Sequence, residues 1–175
     1  MEIYKIVKKD TNFEAQAAYL LRNAFPQAYS ESAEAEVVNC LGAERVLLAA
    51  MEKDELLGFI GAIPQYGVTG WELHPLVVRV GRRGLGIGRK LCLALEDELR
   101  RRGAVTIYLG TDDEDFQTSL AGIDLYANTY EKIENIINYK NHPYEFYQKL
   151  GYKIVGVLPD ANGVGKPDIW MAKRI

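Results

Sequence analysis

Residues 71–90, WELHPLVVRVGRRGLGIGRK, decide the fold. A β-branched strand from Leu76 to Val80, interrupted by Arg79, ends in a turn that sets Gly81, Gly84, Gly86 and Gly88 among Arg82, Arg83 and Arg89. Behind the turn, Ile87, Leu91, Leu95 and Leu99 recur at helical spacing and predict one apolar face, with Arg89, Glu96, Asp97 and Arg100 off it. Arg100, Arg101 and Arg102 suit the negative end of that helix, and Gly103 ends it. A strand, a glycine turn and a helix start in this order expose backbone N–H groups at a positive dipole end. That arrangement binds phosphate groups.

Two nucleotide motifs fail on required chemistry. Gly81 and Gly86 have P-loop spacing, but Ile87 and Gly88 stand where a lysine and a Ser/Thr hydroxyl are needed. Gly84 and Gly86 begin a dinucleotide fingerprint, but Arg89 takes the place of its third glycine. What remains is Arg/Gln-x-x-Gly-x-Gly/Ala, read as Arg83, Gly86 and Gly88, which would cradle a pyrophosphate. The alternative is a merely tight turn with solvated arginines.

Upstream, residues 45–80 read as three strands. Turns at KDE and YGVTG join them as antiparallel hairpins. EIYKIV (2–7) predicts a first strand and residues 12–24 a helix, which FPQAYS (25–30) breaks. SESAEAEVVNCL predicts a second helix capped by Ser30, with acids in its first turn. Downstream, AVTIYLG (104–110) reads as a buried strand and TDDED (111–115) as a loop. LYANTYEKIENIINY (125–139) and PYEFYQKL (143–150) look helical; GYKIVGVLP and PDIWMAKRI look like closing strands. The order is β-α-α-β-β-β-α-β-α-β-β, an α/β (mixed α+β) sheet in one domain over residues 1–175. The β-α-β crossover predicts parallel pairing of strands 71–79 and 105–110.

Composition narrows the partners. The chain has 175 residues, 48% hydrophobic and 26% charged, with a net charge of −3, which disfavours nucleic acid. No apolar stretch is long enough to span a bilayer, and the start, MEIYKIVKKD, has no signal-peptide pattern, so the cytoplasm is the expected location. Cys40 and Cys92 lack metal-ligand spacing, and Cys92 falls in the leucine-rich helix as a buried thiol.

Strand 71–79 also carries reactive groups. Strict alternation puts Glu72, His74 and Leu76 on one face. A carboxylate at 72 can attract an ammonium and accept its proton; the alternative is an edge-strand surface glutamate. His74 is either a second polar contact or a histidine satisfied within the fold. Pro75 has no N–H, which predicts a bulge near 74–76 that turns the Leu76 N–H out of the ladder.

LVVRVGRRGLGIGRKL (76–91) resembles the acetyl-coenzyme A motif of the general N-acetyltransferase (GNAT) superfamily. FYQKLGYKIVG (146–156) resembles its late signature, whose tyrosine falls at Tyr147. GFIGAIPQYGVTGWELHPLVV, TIYLGTDD, HPYEFYQKLGYKIVGVLP and KPDIWMAK are similar to the aminoglycoside 6′-N-acetyltransferases. The likeness is weak in residues 1–50 and in the helix after the glycine turn.

The resemblance implies the GNAT acyl-CoA N-acyltransferase fold with splayed central parallel strands. It implies acetyl-coenzyme A (acetyl-CoA) as cosubstrate, no metal, a cationic aminoglycoside as acceptor and a homodimer. Leu76, Val77 and Val78 would pair with the pantetheine arm, and the Leu76 amide would polarise the thioester carbonyl. Arg83, Gly84, Leu85, Gly86, Ile87 and Gly88 would hold the pyrophosphate. Glu72 becomes the proton acceptor. Tyr147 becomes the proton donor to the departing sulfur, or else an aromatic packed on the closing sheet. Lys149 meets a coenzyme phosphate or stays solvated. Phe25, Tyr66, His74, Asp112 and Asp115 become substrate contacts, with TDDED brought to the same mouth as Glu72. At FPQAYS the family carries tryptophan and acidic residues where this chain has Phe25, Gln27 and Ala28, which lowers negative charge near the acceptor. Two rivals stand beside this reading: an acetyltransferase of polyamines or protein amines, and a non-catalytic coenzyme-binding sensor.

Overall fold

A computed structural model describes residues 1–7 and 10–175. Its contacts divide the chain into two compact units, Met1–Val105 with Ile175, and Thr106–Arg174.

The first unit contains strands β1 (Glu2–Lys5), β2 (Val46–Glu52), β3 (Glu55–Tyr66) and β4 (Gly70–Val78), each antiparallel to the next. Its helices are α1 (Thr11–Ala24), α2 (Pro26–Tyr29), α3 (Ala33–Cys40) and α4 (Ile87–Arg101), with a 3₁₀ turn at Val80–Arg82. Asp10 caps α1, accepting from the amides of Asn12 at 2.9 Å and Phe13 at 3.2 Å. Phe13, Ala17, Leu20 and Leu21 of α1 are buried with Val37 of α3, Phe59 of β3 and Val77 of β4 in one cluster. The opposite sheet face is covered by α4, whose Ile87, Leu91, Leu95 and Leu99 are all buried.

Three local expectations are corrected. FPQAYS does more than break a helix: Pro26 opens the short α2, its missing N–H costing nothing at a first helical position. Ser30 is not the cap of α3. Ser32 holds that place without a side-chain cap bond, its hydroxyl turned back to the Ala28 carbonyl at 3.3 Å. Glu96 does not lie on the open side of α4; it is 1% exposed, 3.5 Å from Arg100.

The bulge in β4 overturns a fourth expectation. Ile60 pairs with Leu76, but Ala62 pairs with Leu73, so Gly61 alone opposes His74 and Pro75. The His74–Pro75 peptide is cis. Paired residues share a sheet face, so the extra residue inverts the alternation. Leu76 joins Leu73 and Ile60 on the α4 side, whereas Glu72 shares the other face with Val77 and Phe59. Gly61 is needed here because a Cβ would lie 2.4 Å from the His74 carbonyl oxygen.

The second unit holds β5 (Thr106–Asp112), α5 (Thr129–Glu134), α6 (Tyr144–Gln148), β6 (Lys153–Leu158) and β7 (Asp168–Arg174). The strands run β5-β7-β6, antiparallel throughout. Helix α5 is far shorter than the 125–139 stretch predicted. Residues 137–139 pair back instead: Ser119 donates to the Ile137 carbonyl at 3.0 Å and Tyr139 to that of Gln117 at 2.8 Å. Tertiary hydrogen bonds win over helix periodicity there.

Candidate functional site

The glycine turn and its flanking strand make one half of the candidate site. Arg79 donates its amide to the Leu57 carbonyl at 2.9 Å, so this opposed pair is hydrogen-bonded. Alternation along an antiparallel ladder then makes 59/77 a bonded pair and leaves 58/78 and 60/76 unbonded. The N–H groups of Leu76 and Val78 therefore point away from β3, and that of Val77 toward it. Beyond Val78, Gly84 and Gly86 adopt φ values of 76° and 78°, a left-handed conformation that suits glycine. Gly86 is the N-cap of α4, which has neither a side-chain cap bond nor an acid in its first turn. Its first amides, at Ile87, Gly88 and Arg89, are thus left without an intrahelical acceptor. Leu85 is exposed, Ile87 buried and Gly88 half-buried. A donor-rich helix start without a competing carboxylate fits a pyrophosphate.

The arginines sort by partner. Arg79 holds the Leu56 carbonyl at 3.0 Å and Glu55 at 3.3 Å. Arg82 is paired with Glu55 at 3.3 Å and Glu52 at 3.7 Å. Among the described residues Arg83 bonds only the Val78 carbonyl, through Nε at 3.2 Å, and it is exposed, so that its terminal nitrogens can reach an anion.

The other half of this unit presents acceptor groups. Glu72 is half-buried and accepts from Gln65 Nε2 at 2.7 Å, which orients one carboxylate oxygen. His74 Nε2 lies 3.3 Å from the Tyr29 hydroxyl and 3.4 Å from Glu36. Phe25, at the junction of α1 and α2, meets Tyr29 edge-on at 6.1 Å and is exposed. Tyr66 is also exposed, at the end of β3 opposite Gly70. Sequence reasoning missed Tyr29, Gln65 and Glu36. Tyr29 was hidden in an apparent helix break, and Glu36 looked like a first-turn acid serving only the dipole.

In the second unit the acids of TDDED have separate fates. Asp113 is fully buried and accepts from the amides of Gln117 at 2.7 Å and Thr118 at 2.8 Å, and from the Thr118 hydroxyl at 2.8 Å. It is a structural cap for the following loop. Asp112 ends β5, exposed, its carboxylate held by Asn162 Nδ2 at 2.6 Å. Its carbonyl lies 3.0 Å from Nε2 of the buried His142, whose pKa burial lowers despite that contact. Asp115 is exposed, with its carbonyl accepting from Lys140 at 3.2 Å. Tyr147 on α6 is 8% exposed, its ring edge-on to that of Tyr152 at 5.6 Å. Lys149 is exposed, 4.0 Å from Glu145.

In the first unit a bulged strand thus runs into a glycine turn at a bare helix start. The chain belongs to the acetyltransferase (GNAT) family, whose model matches residues 10–128. Its likeness to solved structures runs from end to end. A solved aminoglycoside 6′-N-acetyltransferase complexed with coenzyme A is 54% identical with a TM-score of 0.97, covering 99% of this chain and 97% of that one. The aminoglycoside 6′-N-acetyltransferase from Enterococcus faecium is 54% identical with a TM-score of 0.94 over the same shares of 99% and 97%. An aminoglycoside 6′-acetyltransferase of type Ii is 48% identical with a TM-score of 0.80, again over 99% and 97%. No curated protein sequence matches the chain. Among the described residues no cluster of His, Cys, Asp or Glu could hold a metal ion, and no helix is long and apolar enough to cross a membrane.

Proposed function

We infer that this enzyme transfers acetyl from acetyl-CoA to the 6′-amine of aminoglycosides. The observation that carries this reading is identity of 54% over 99% of the chain with an aminoglycoside 6′-N-acetyltransferase solved with coenzyme A.

The chain's own groups supply what acetyl transfer to an amine demands. Glu72 attracts the acceptor ammonium and takes its proton, directly or through water. The Leu76 amide, directed away from β3, donates to the carbonyl oxygen as it gains charge, a contact worth roughly 3 kcal/mol in comparable donors. Leu76, Val77 and Val78 line the pantetheine arm, and Val78, with the same amide direction as Leu76, is suited to pair with it. Arg83 and the segment Gly84, Leu85, Gly86, Ile87 and Gly88 hold the pyrophosphate, and Lys149 meets a further phosphate. The phenol of Tyr147 gives the departing sulfur its proton. Phe25, Tyr66, His74, Asp112 and Asp115 contact the polycationic acceptor, which needs carboxylates and acceptor atoms to replace its water. The same reading makes the enzyme a cytoplasmic homodimer in a single domain, the dimer checked by sedimentation equilibrium.

The test follows free-thiol release from acetyl-CoA with an aminoglycoside bearing a 6′-amine, its 6′-hydroxyl congener, spermidine and a lysine-rich peptide. Fast release is expected with the 6′-amine alone. Release only with spermidine or the peptide would overturn the acceptor assignment. Coenzyme binding without release on any amine would mark a sensor.

A further inference from the structure

His74 is the meeting point of three elements of the first unit. Its Nε2 lies 3.4 Å from Glu36 Oε1 on α3 and 3.3 Å from the Tyr29 hydroxyl on α2. A ring nitrogen facing a carboxylate must carry the hydrogen, since a lone pair there would be repelled. Nε2 is therefore the protonated nitrogen, and in the neutral ring Nδ1 carries the lone pair.

Glu36 is placed for this contact. Its side chain is 17% exposed, whereas that of His74 keeps 36%, so the ring is anchored at one nitrogen and still meets solvent. The same Oε1 is approached by Cys40 Sγ at 3.5 Å and Arg45 at 3.9 Å. Burial, with Glu36 beside it, pushes the Cys40 thiol up to about 12, so Cys40 stays a donor. Three donors from β4, α3 and the loop before β2 thus converge on one oxygen. Tyr29 also stacks edge-on with Phe25, tying the ring to a second exposed group of the acceptor half.

We propose that Glu36 is a positioning residue for the acceptor: it holds His74 with Nε2–H turned inward, so that Nδ1 accepts a hydrogen bond from an ammonium or hydroxyl of the amino sugar. A polycation rich in N–H and O–H donors requires acceptor atoms, and an imidazole fixed in this tautomer provides one without adding positive charge. The inference rests on the reading of His74 as an acceptor contact, and the experiment separates the two.

Steady-state constants are measured for Glu36→Ala, Glu36→Gln, His74→Ala, Tyr29→Phe and the Glu36→Ala/His74→Ala pair. His74→Ala and Glu36→Ala should each raise the aminoglycoside KM roughly ten- to a hundred-fold, the scale of one hydrogen bond to a charged group. The acetyl-CoA KM should not move. The double variant should be no worse than His74→Ala. Glu36→Gln, whose amide oxygen still accepts, should recover most of the loss. Tyr29→Phe, which keeps the aromatic packing, should raise the same KM by about two-fold. The chain has 2 histidines, so imidazole nitrogen NMR resolves His74 directly. Its signals should show a fixed Nε2–H form that Glu36→Ala loosens while His142 stays unchanged. Multiplying effects in the double variant would mean that Glu36 acts on its own. A wild-type KM in Glu36→Ala, or an unmoved His74 spectrum, would equally overturn positioning. A wild-type KM in His74→Ala would instead remove His74 from the acceptor site, and the inference with it.

Discussion

Two stretches of this enzyme carry its polar chemistry in different ways. From β4 into α4 the working groups are backbone: a bulge at His74–Pro75, amides turned away from β3, left-handed glycines and a bare helix start. In residues 111–143 they are side chains, and adjacent acids do unlike things. Asp113 is buried in hydrogen bonds to its own loop, while Asp112 and Asp115 remain exposed. Backbone geometry follows from residue types within a few positions. The role of one carboxylate in a run of four depends on what the rest of the chain brings beside it.

Asp113→Ala breaks this contrast most sharply. It removes the acceptor of two amides and a hydroxyl, and denaturant unfolding should show a loss of about 3 kcal/mol. Asp115→Ala should stay within about 0.5 kcal/mol while raising the aminoglycoside KM several-fold; equal destabilisation by both would erase the distinction between the two acids. Gly61→Ala tests the backbone side. Its Cβ would sit 2.4 Å from the His74 carbonyl oxygen, so stability should fall by about 2 kcal/mol and kcat with it. An unchanged kcat would show that the bulge is dispensable to Leu76. Gly86→Ala forces a side chain into φ 78° with nothing within 4 Å of the new Cβ. The cost should be about 1 kcal/mol, read as a raised acetyl-CoA KM with an unchanged aminoglycoside KM.

The smallest effect concerns Glu98, half-buried on α4. Burial would raise its carboxyl, but hydrogen bonds from Lys5, Arg101 and Arg102 outweigh that and hold its pKa at about 2. The folded value lies below the unfolded value of about 4.3. Its contribution is therefore complete above pH ~4.3 and is lost as pH falls toward 2. Glu98→Gln should flatten that acid limb of thermal stability and lower neutral-pH stability by at most about 1 kcal/mol.

Much of the frame was legible without coordinates. The antiparallel hairpins, the leucine face of α4, the glycine turn and the bulge at Pro75 all follow from period, turn chemistry and a missing N–H. The consequence of the bulge was not legible: strict alternation puts Leu76 with Glu72, but the inserted residue moves Leu76 to the α4 side. Glu96 looked solvent-facing because helical spacing counts residues and does not show what packs over them; in the fold it is 1% exposed.

Local order alone therefore determined the backbone donors of the glycine turn and its flanking strand, because φ preferences, the absent N–H of proline and helix-end polarity act over a few residues. Only the tertiary structure decided which side chains answer them. Glu36 and Tyr29 reach His74 from helices 38 and 45 residues away in the chain, and Asp113 is withdrawn from its neighbours by Gln117 and Thr118. A hydrogen bond acts over about 3 Å, and chain folding sets which groups come that close.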